Sequence, residues 1–357
     1  MPTELLNLSS RSFRQKKEVS LSASKNNQPI RVLIHGLAYF SQKLPAFLAS
    51  EGWEFRNYAP RWSMDLAATL YHLHRCDLAY AWGGRVTMGK FLLAARALKK
   101  QKLVTFWCGS DVLEARQEFQ KGKMESWIAE KIHWAGAPWL AEEVRAFGLH
   151  CEYVPTTWVP TVSRLDDLPK NFSVLAYLPD VERVSLYGID QVLEVACALP
   201  QIDFTIVGLQ PGQTLEAPRN VRLYGRVDLK PFYRNATILW RPTRHDGLSF
   251  MALEALAHGR HVIWSYPFSA AIHAREVGAA RMEIERLWDL HQTQQLGLNR
   301  VGADFIEQNF SPAKIKADML RRWKHIVESS SPVTSSGCPS RGHESLPEHS
   351  APQIPCG

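Results

Sequence analysis

Short apolar segments alternate with helical stretches through both halves of this 357-residue chain, and a proline-bearing stretch separates the halves. Together these predict an α/β protein of two Rossmann-like domains facing a central cleft. In the first half the strand candidates are Arg31 to Gly36, Phe55 to Tyr58, Leu78 to Trp82, Leu103 to Trp107, Ile132 to Ala137 and Cys151 to Val154. Helical patterns over Leu44 to Ser50, Thr87 to Leu98 and Ala141 to Phe147 separate them. That spacing argues for a parallel sheet with right-handed crossovers. The second half repeats the pattern with Ser173 to Leu178, Phe204 to Val207, Val221 to Tyr224, Thr237 to Trp240 and Val262 to Trp264.

Pro155 to Pro169 carries three prolines and reads as the linker. The expected organisation is a basic tail over residues 1–28, a first domain over 29–160, and a second over 161–311. A helix over 312–328 then folds back on the first domain, followed by a Ser/Pro-rich tail over 329–357. Both tails lack apolar periodicity and read as disordered.

Composition bounds the function. The six cysteines have neither metal-ligand nor Cys-x-x-Cys spacing, so reduced thiols in the cytoplasm are the simple reading. His72 and His74, read as strand residues, would point to opposite faces, and no metal is expected. A net charge of +7 invites an anionic partner, but the basic residues form no nucleic-acid-binding stripe. Lys90 to Lys102 reads as an amphipathic helix with a basic end, suited either to peripheral contact at the inner membrane surface or to a solvated face over the sheet. No apolar run is long enough to span a bilayer. Walker, Gly-x-Gly-x-x-Gly and Gly-x-Ser-x-Gly motifs are absent, which argues against a P-loop NTPase, a nicotinamide dehydrogenase and an α/β-hydrolase.

The chemistry concentrates in Arg241 to Ser265. A strand ends near Trp240, a polar turn follows at Asp246-Gly247, and an apolar helix from about Ser249 to His258 closes at Gly259 before a further strand. Glu254 is the one acid on a helix apolar on nearly every face, and a desolvated carboxylate needs a partner. A ligand is one candidate. An ion pair with an arginine, with Asp246-Gly247 as an ordinary turn and cap, is the alternative. Asp246 precedes Glu254 by eight positions, roughly 12 Å at helical rise, so the two acids would contact opposite ends of an elongated ligand. The helix N-terminus between them would face an anion.

As a string, Asp246-Gly-Leu-Ser-Phe-Met-Ala-Leu-Glu254-Ala-Leu-Ala-His-Gly-Arg-His-Val-Ile resembles the signature of GT-B glycosyltransferases, specifically the large retaining family four. The likeness extends from about Arg31 to Val327 and is stronger in the second half. It implies a retaining transfer of sugar from a UDP- or GDP-sugar to a hydroxyl acceptor, glycan or lipid-linked, without a resident cofactor. By the same resemblance Glu254 takes the ribose hydroxyls, Asp246 the transferred sugar, and Gly247, Leu248, Ser249 and Phe250 the diphosphate. Gly208, Gly225, Arg226, Thr243 and His245 complete the donor side, and the diphosphate charge falls to Arg183, Arg241 or Arg244. His35, Gly36, Cys108, Gly109, Ser110 and Asp111 form the first-domain side of the cleft.

The chain departs from the family pattern at several points. Asp246 stands for Glu, His261 for Pro, Tyr187-Gly188 for Lys-Gly, and Trp107-Cys108 for the histidine before Gly-Ser-Asp. The loop after the first strand holds only Gly36 where many relatives have two glycines. A nucleotide-sugar epimerase and a catalytically degenerate binding subunit share the implied cleft and remain alternatives.

Overall fold

The structure, a computed structural model, describes residues 28–36, 38–58 and 66–329, with 38–41 by backbone alone. The expectations for the two tails therefore lie outside the described residues, apart from positions 28 and 329.

Two six-stranded sheets form the frame, and every strand pair is parallel. The first contains β1 (Ile30–Gly36), β2 (Trp53–Asn57), β3 (Leu78–Trp82), β4 (Leu103–Trp107), β5 (Ile132–Ala135) and β6 (Cys151–Tyr153) in the order β2-β1-β3-β4-β5-β6. The second contains β7 (Ser173–Tyr177), β8 (Asp203–Leu209), β9 (Val221–Gly225), β10 (Ile238–Arg241), β11 (His261–Trp264) and β12 (Ile272–His273) in the order β12-β11-β10-β7-β8-β9. The fold class expected from the sequence is thus present. β3 and β4 are buried at all five positions, as central strands covered on both faces must be, and their continuous apolar runs made them legible. β12, two residues long, carries no period.

Residues 154–172, spanning the proline-bearing stretch, form no regular element. Arg260, fully buried, fastens this segment by donating to the carbonyls of Asp166 and Asp167 at 2.8 and 3.1 Å. The last helix, Pro312–Glu328, lies on the first sheet: Trp323 is buried against Trp53, Phe55 and Tyr80. One apolar cluster runs through both halves and includes Trp139 of the first with Leu248, Met251 and Trp264 of the second.

Two sequence expectations are corrected. His72 and His74 lie on the helix Leu66–Arg75, not on a strand; the short apolar run around them was too ambiguous in period. The helix expected over Lys90 to Lys102 ends at Ala97, and Lys99 adopts a φ of 50°. Lys100 and Lys102 turn inward, onto the carbonyls of Cys76 and Val327, so the basic end is not part of an amphipathic helix. No helix among the described residues is long and apolar enough to cross a membrane.

Candidate functional site

Ligands of open parallel α/β sheets bind beyond the C-terminal ends of the strands, where the strand order reverses. Here the order reverses between β1 and β3 and again between β7 and β10.

At the second reversal, β10 ends in Arg241, which is buried. Its Nε and Nη2 donate to the two carboxylate oxygens of Asp246 at 2.5 and 2.9 Å, and the Thr243 hydroxyl lies 3.2 Å from Oδ2. Both side chains of the pair are only about a tenth exposed, at 10% and 11%. Burial lowers the Arg241 pKa, but the adjacent carboxylate more than offsets this and the net direction is upward. Tyr187, at the position of the family lysine, sets its ring 5.6 Å from the same guanidinium. Arg241, one of three expected diphosphate cations, is therefore committed to Asp246, and Asp246, expected on the transferred sugar, is committed to Arg241. Two like-placed, buried, opposite charges pair because neither could be left alone.

Of the other two arginines, Arg244 is exposed and reaches Asp190 at 2.6 Å as well as the Ser185 hydroxyl, while Arg183 is exposed in the turn Val181–Arg183. Gly208 lies in β8; Gly225 ends the edge strand β9, with Arg226 exposed just beyond it. Three ladder steps separate β9 from β10, roughly 14 Å, about the reach of an extended nucleotide.

The helix Phe250–Ala257 follows the loop, capped by Ser249, whose Oγ accepts from Ala252 N–H at 3.3 Å. The N–H groups of its first residues, Phe250 and Met251, have no acceptor within the helix. Glu254 is half-buried on this helix, and its partner is not an arginine. The Tyr233 hydroxyl donates to Oε2 at 2.7 Å, and Oε1 has no hydrogen-bond partner among the described residues. Burial raises the Glu254 pKa, while the Tyr233 hydroxyl and then Lys230 pull it down. Tyr233 belongs to the helix Lys230–Asn235 and escaped the sequence reading because nothing local marks a tyrosine as a carboxylate's donor.

The first reversal holds a cavity of about 550 Å³ lined by the ends of β1 and β3, the start of the helix Lys90–Ala97, and the loop after β4. His35, Gly36, Cys108, Ser110 and Asp111, all expected in the cleft, line it, with Gly109 between them in the chain. Asp111 stabilises the loop: it accepts backbone N–H bonds from Gly84 and Gly109 at 2.7 Å and from Cys108 at 3.1 Å. Burial raises its pKa against these donors. The Cys108 thiol is pushed well up by burial, with Asp111 adding to it. His35 stacks on Phe91 with ring centroids 4.0 Å apart, and burial lowers its pKa.

Gly83 and Gly84 directly follow the apolar strand β3, and this pair is the signal that sequence reasoning passed over. A Cβ on Gly84 would sit 2.0 Å from the Trp107 ring, so the loop floor closes only over glycine. Arg85, Lys90 and Phe91, which also line the cavity, were missed with it.

The two reversal points meet through their loops. A Cβ on Gly247 would lie 2.1 Å from the Cys108 carbonyl oxygen. Trp139 donates its indole N–H to the Asp246 carbonyl at 2.8 Å and stacks on Tyr266. His245 Nε2 lies 3.1 Å from Glu143, which also receives Arg116. No group of three or more His, Cys, Asp or Glu capable of holding a metal occurs among the described residues.

Residues 178–278 match the family model described as Glycosyl transferases group 1, a span holding Arg241, Asp246 and Glu254. No curated protein sequence matches the chain. Among solved structures, a sucrose-phosphate synthase from Thermosynechococcus elongatus is similar with a TM-score of 0.62 and 14% identity, over 84% of this chain and 99% of that one. The pneumococcal O-GlcNAc transferase GtfA, solved with UDP and GlcNAc, is similar with a TM-score of 0.52 and 14% identity, over 74% of this chain and 60% of that one. An S. aureus TarM variant, solved with Fondaparinux, alpha-GlcNAc-glycerol and UDP, gives 0.51 and 12%, over 74% and 59%. The fold is that of the GT-B glycosyltransferases, as the signature around Glu254 implies.

Proposed function

We propose that this protein is a glycosyltransferase that moves a sugar from a UDP- or GDP-sugar, held at the β7/β10 reversal, to a hydroxyl acceptor held at the β1/β3 reversal. The observation that carries this reading is that the stretch matching the group 1 model, 178–278, supplies the donor-side reversal, and that its Gly247 loop touches the acceptor-side cavity loop. UDP in two of the similar structures supports the donor class. Retention follows from the resemblance of the Asp246 to Glu254 string to the retaining family.

The division of labour is as follows. Glu254, fixed through Oε2 by Tyr233, offers Oε1 to the ribose hydroxyls. The N–H groups at the start of Phe250–Ala257, with exposed Arg183, meet the diphosphate as negative charge develops on it. Donors fixed before the reaction stabilise that charge without reorganising. The Arg241–Asp246 pair holds the loop that carries Gly247, and acts through position rather than by touching the reacting atoms.

The test is a melting-temperature screen against UDP, GDP and their sugars, followed by assay of nucleotide release. A UDP or GDP compound is expected to stabilise the protein, and Glu254→Gln to remove that stabilisation. No shift with any nucleotide would overturn the reading. The commitment of Arg241 to Asp246 favours one second reading, a cleft that binds nucleotide sugar without turnover; nucleotide binding with no release in the presence of any acceptor would establish it.

A further inference from the structure

The acceptor cavity has a charge pattern of its own. Arg85 and Lys90 both line it, both are exposed, and neither has a carboxylate within ion-pair distance among the described residues. Arg85, though exposed, lies against the protein. Its Nη1 would lie 3.2 Å from a Cβ on Gly89, so the guanidinium folds over the start of the helix Lys90–Ala97. No acidic residue occupies the first turn of that helix, and its N-cap Gly89 supplies no side-chain acceptor. A guanidinium, an ammonium and the positive end of a helix thus converge with no counter-charge of their own. The cavity does contain acids. Asp111 is taken up by three backbone N–H groups, and Glu114 adds one exposed negative charge.

His35 supplies the other half of the pattern. Its Nδ1 lies 3.1 Å from the Tyr58 carbonyl, which can only accept, so Nδ1 carries the proton and the neutral ring presents Nε2 as an acceptor. Burial, and to a lesser degree Arg85, keep the ring neutral. Phe91, stacked on the imidazole, fixes its plane. One cavity therefore carries a hydrogen-bond acceptor for a hydroxyl and two cations for an anion.

We propose that the β1/β3 cavity selects an acceptor bearing a phosphate or comparable anionic group beside its hydroxyl, with Arg85 and Lys90 holding the anion and His35 accepting a hydrogen bond from the hydroxyl. This deepens the glycosyltransferase reading and rests on it for the word acceptor, while the anion site itself rests only on the cavity. The same chemistry is met by a soluble phosphate ester and by a phospholipid headgroup.

The experiment uses the full chain and its Arg85→Gln/Lys90→Gln variant, with melting temperature and calorimetric titration as readouts. Probes are inorganic phosphate, glucose 6-phosphate, and glucose with chloride at matched ionic strength. A lipid arm adds vesicles of phosphatidic acid in phosphatidylcholine against phosphatidylcholine alone. At least one phosphate-bearing probe is expected to bind, its affinity falling at least tenfold in the double variant, while glucose in chloride has no effect. Both cations are at the surface, so the variant is expected to melt with the wild type, and an unchanged response to UDP checks that the donor side is intact. Binding of free phosphate compounds without vesicle binding identifies a soluble acceptor; vesicle binding lost in the variant identifies a lipid headgroup. Absence of binding by every phosphate probe, or binding that survives the double substitution, would overturn the proposal. A normal phosphate response alongside no nucleotide response would leave the anion site standing and remove the transferase reading.

Discussion

The two strand-order reversals are topologically alike and electrostatically opposite. At β1/β3 the exposed cations Arg85 and Lys90 line a cavity of about 550 Å³, with no carboxylate in ion-pair distance among the described residues. At β7/β10 the cation is Arg241, buried, and it carries its own counter-ion in Asp246. Depth explains the difference. A cation in contact with water needs no protein partner and can wait for a ligand, whereas one removed from water requires a partner at all times. The first site is accordingly poised to take a charge from outside. The second has its buried pair balanced within, and on the proposed reading it meets its ligand through the N–H groups at the start of Phe250–Ala257, exposed Arg183 and Glu254.

Disrupting the buried pair at β7/β10 has the greatest consequence for stability. Asp246→Asn or Arg241→Met leaves one charge uncompensated, and a loss of about 3 to 5 kcal/mol is expected in urea unfolding. Replacing both partners together, as Arg241→Met/Asp246→Leu, should recover most of the loss. If Asp246 served mainly as a ligand contact, Asp246→Asn would unfold at nearly the wild-type midpoint.

Much of this was legible in the sequence, and the parts that were not share a physical cause. β3 and β4 are buried on both faces, so their apolar runs gave their limits to the residue. The capped helix after Asp246 was legible because its apolar composition and Ser249 are local signals. Glu254 was marked as needing a partner and Asp246 as a ligand contact or turn residue, but the protein partners of neither were legible. Asp246 binds a residue five positions away across a loop, and Glu254 binds Tyr233 from a different helix. Such pairings are set by how elements pack, which no periodicity encodes. Arg85 and Lys90 were hidden for a further reason: in sequence they are two basic residues among many, and only the folding of β1 beside β3 puts them around one cavity.

The floor of the first site depends on a neutral histidine, which makes the fold sensitive to pH. Trp107, packed under Gly84, donates its indole N–H to His133 Nδ1 at 3.2 Å, and His133 Nε2 bonds the Ile128 carbonyl at 2.9 Å. Burial depresses the His133 pKa to about 4. The folded protein thus keeps the ring neutral where the unfolded chain, titrating near 6.5, takes up a proton. Stability should be full at pH 8 and fall as pH drops below the unfolded value, until the folded pKa is passed. For this group alone the loss between pH 8 and pH 5 is about 2 kcal/mol. Unfolding followed by urea at both pH values measures it, and His133→Gln should flatten the dependence. A dependence unchanged in that variant would assign the acid lability elsewhere.

The smallest expected effect tests the second site's reliance on hydrogen bonds. Tyr233→Phe removes the donor to Glu254 Oε2 while keeping the ring that packs on His258. A hydrogen bond to a charged, half-buried carboxylate contributes about 1.5 to 3 kcal/mol where it is isolated from water. Here Glu254 keeps partial access to solvent, so a stability loss of about 1 kcal/mol is expected. The more telling consequence concerns ionisation: without the hydroxyl, burial acts unopposed by its largest offset, and the Glu254 pKa rises further. Nucleotide binding in the variant should then weaken toward acid pH over a range where the wild type still binds. A uniform loss of affinity at every pH would instead mean that Tyr233 acts by shape alone, and that Glu254 needs no help to remain charged.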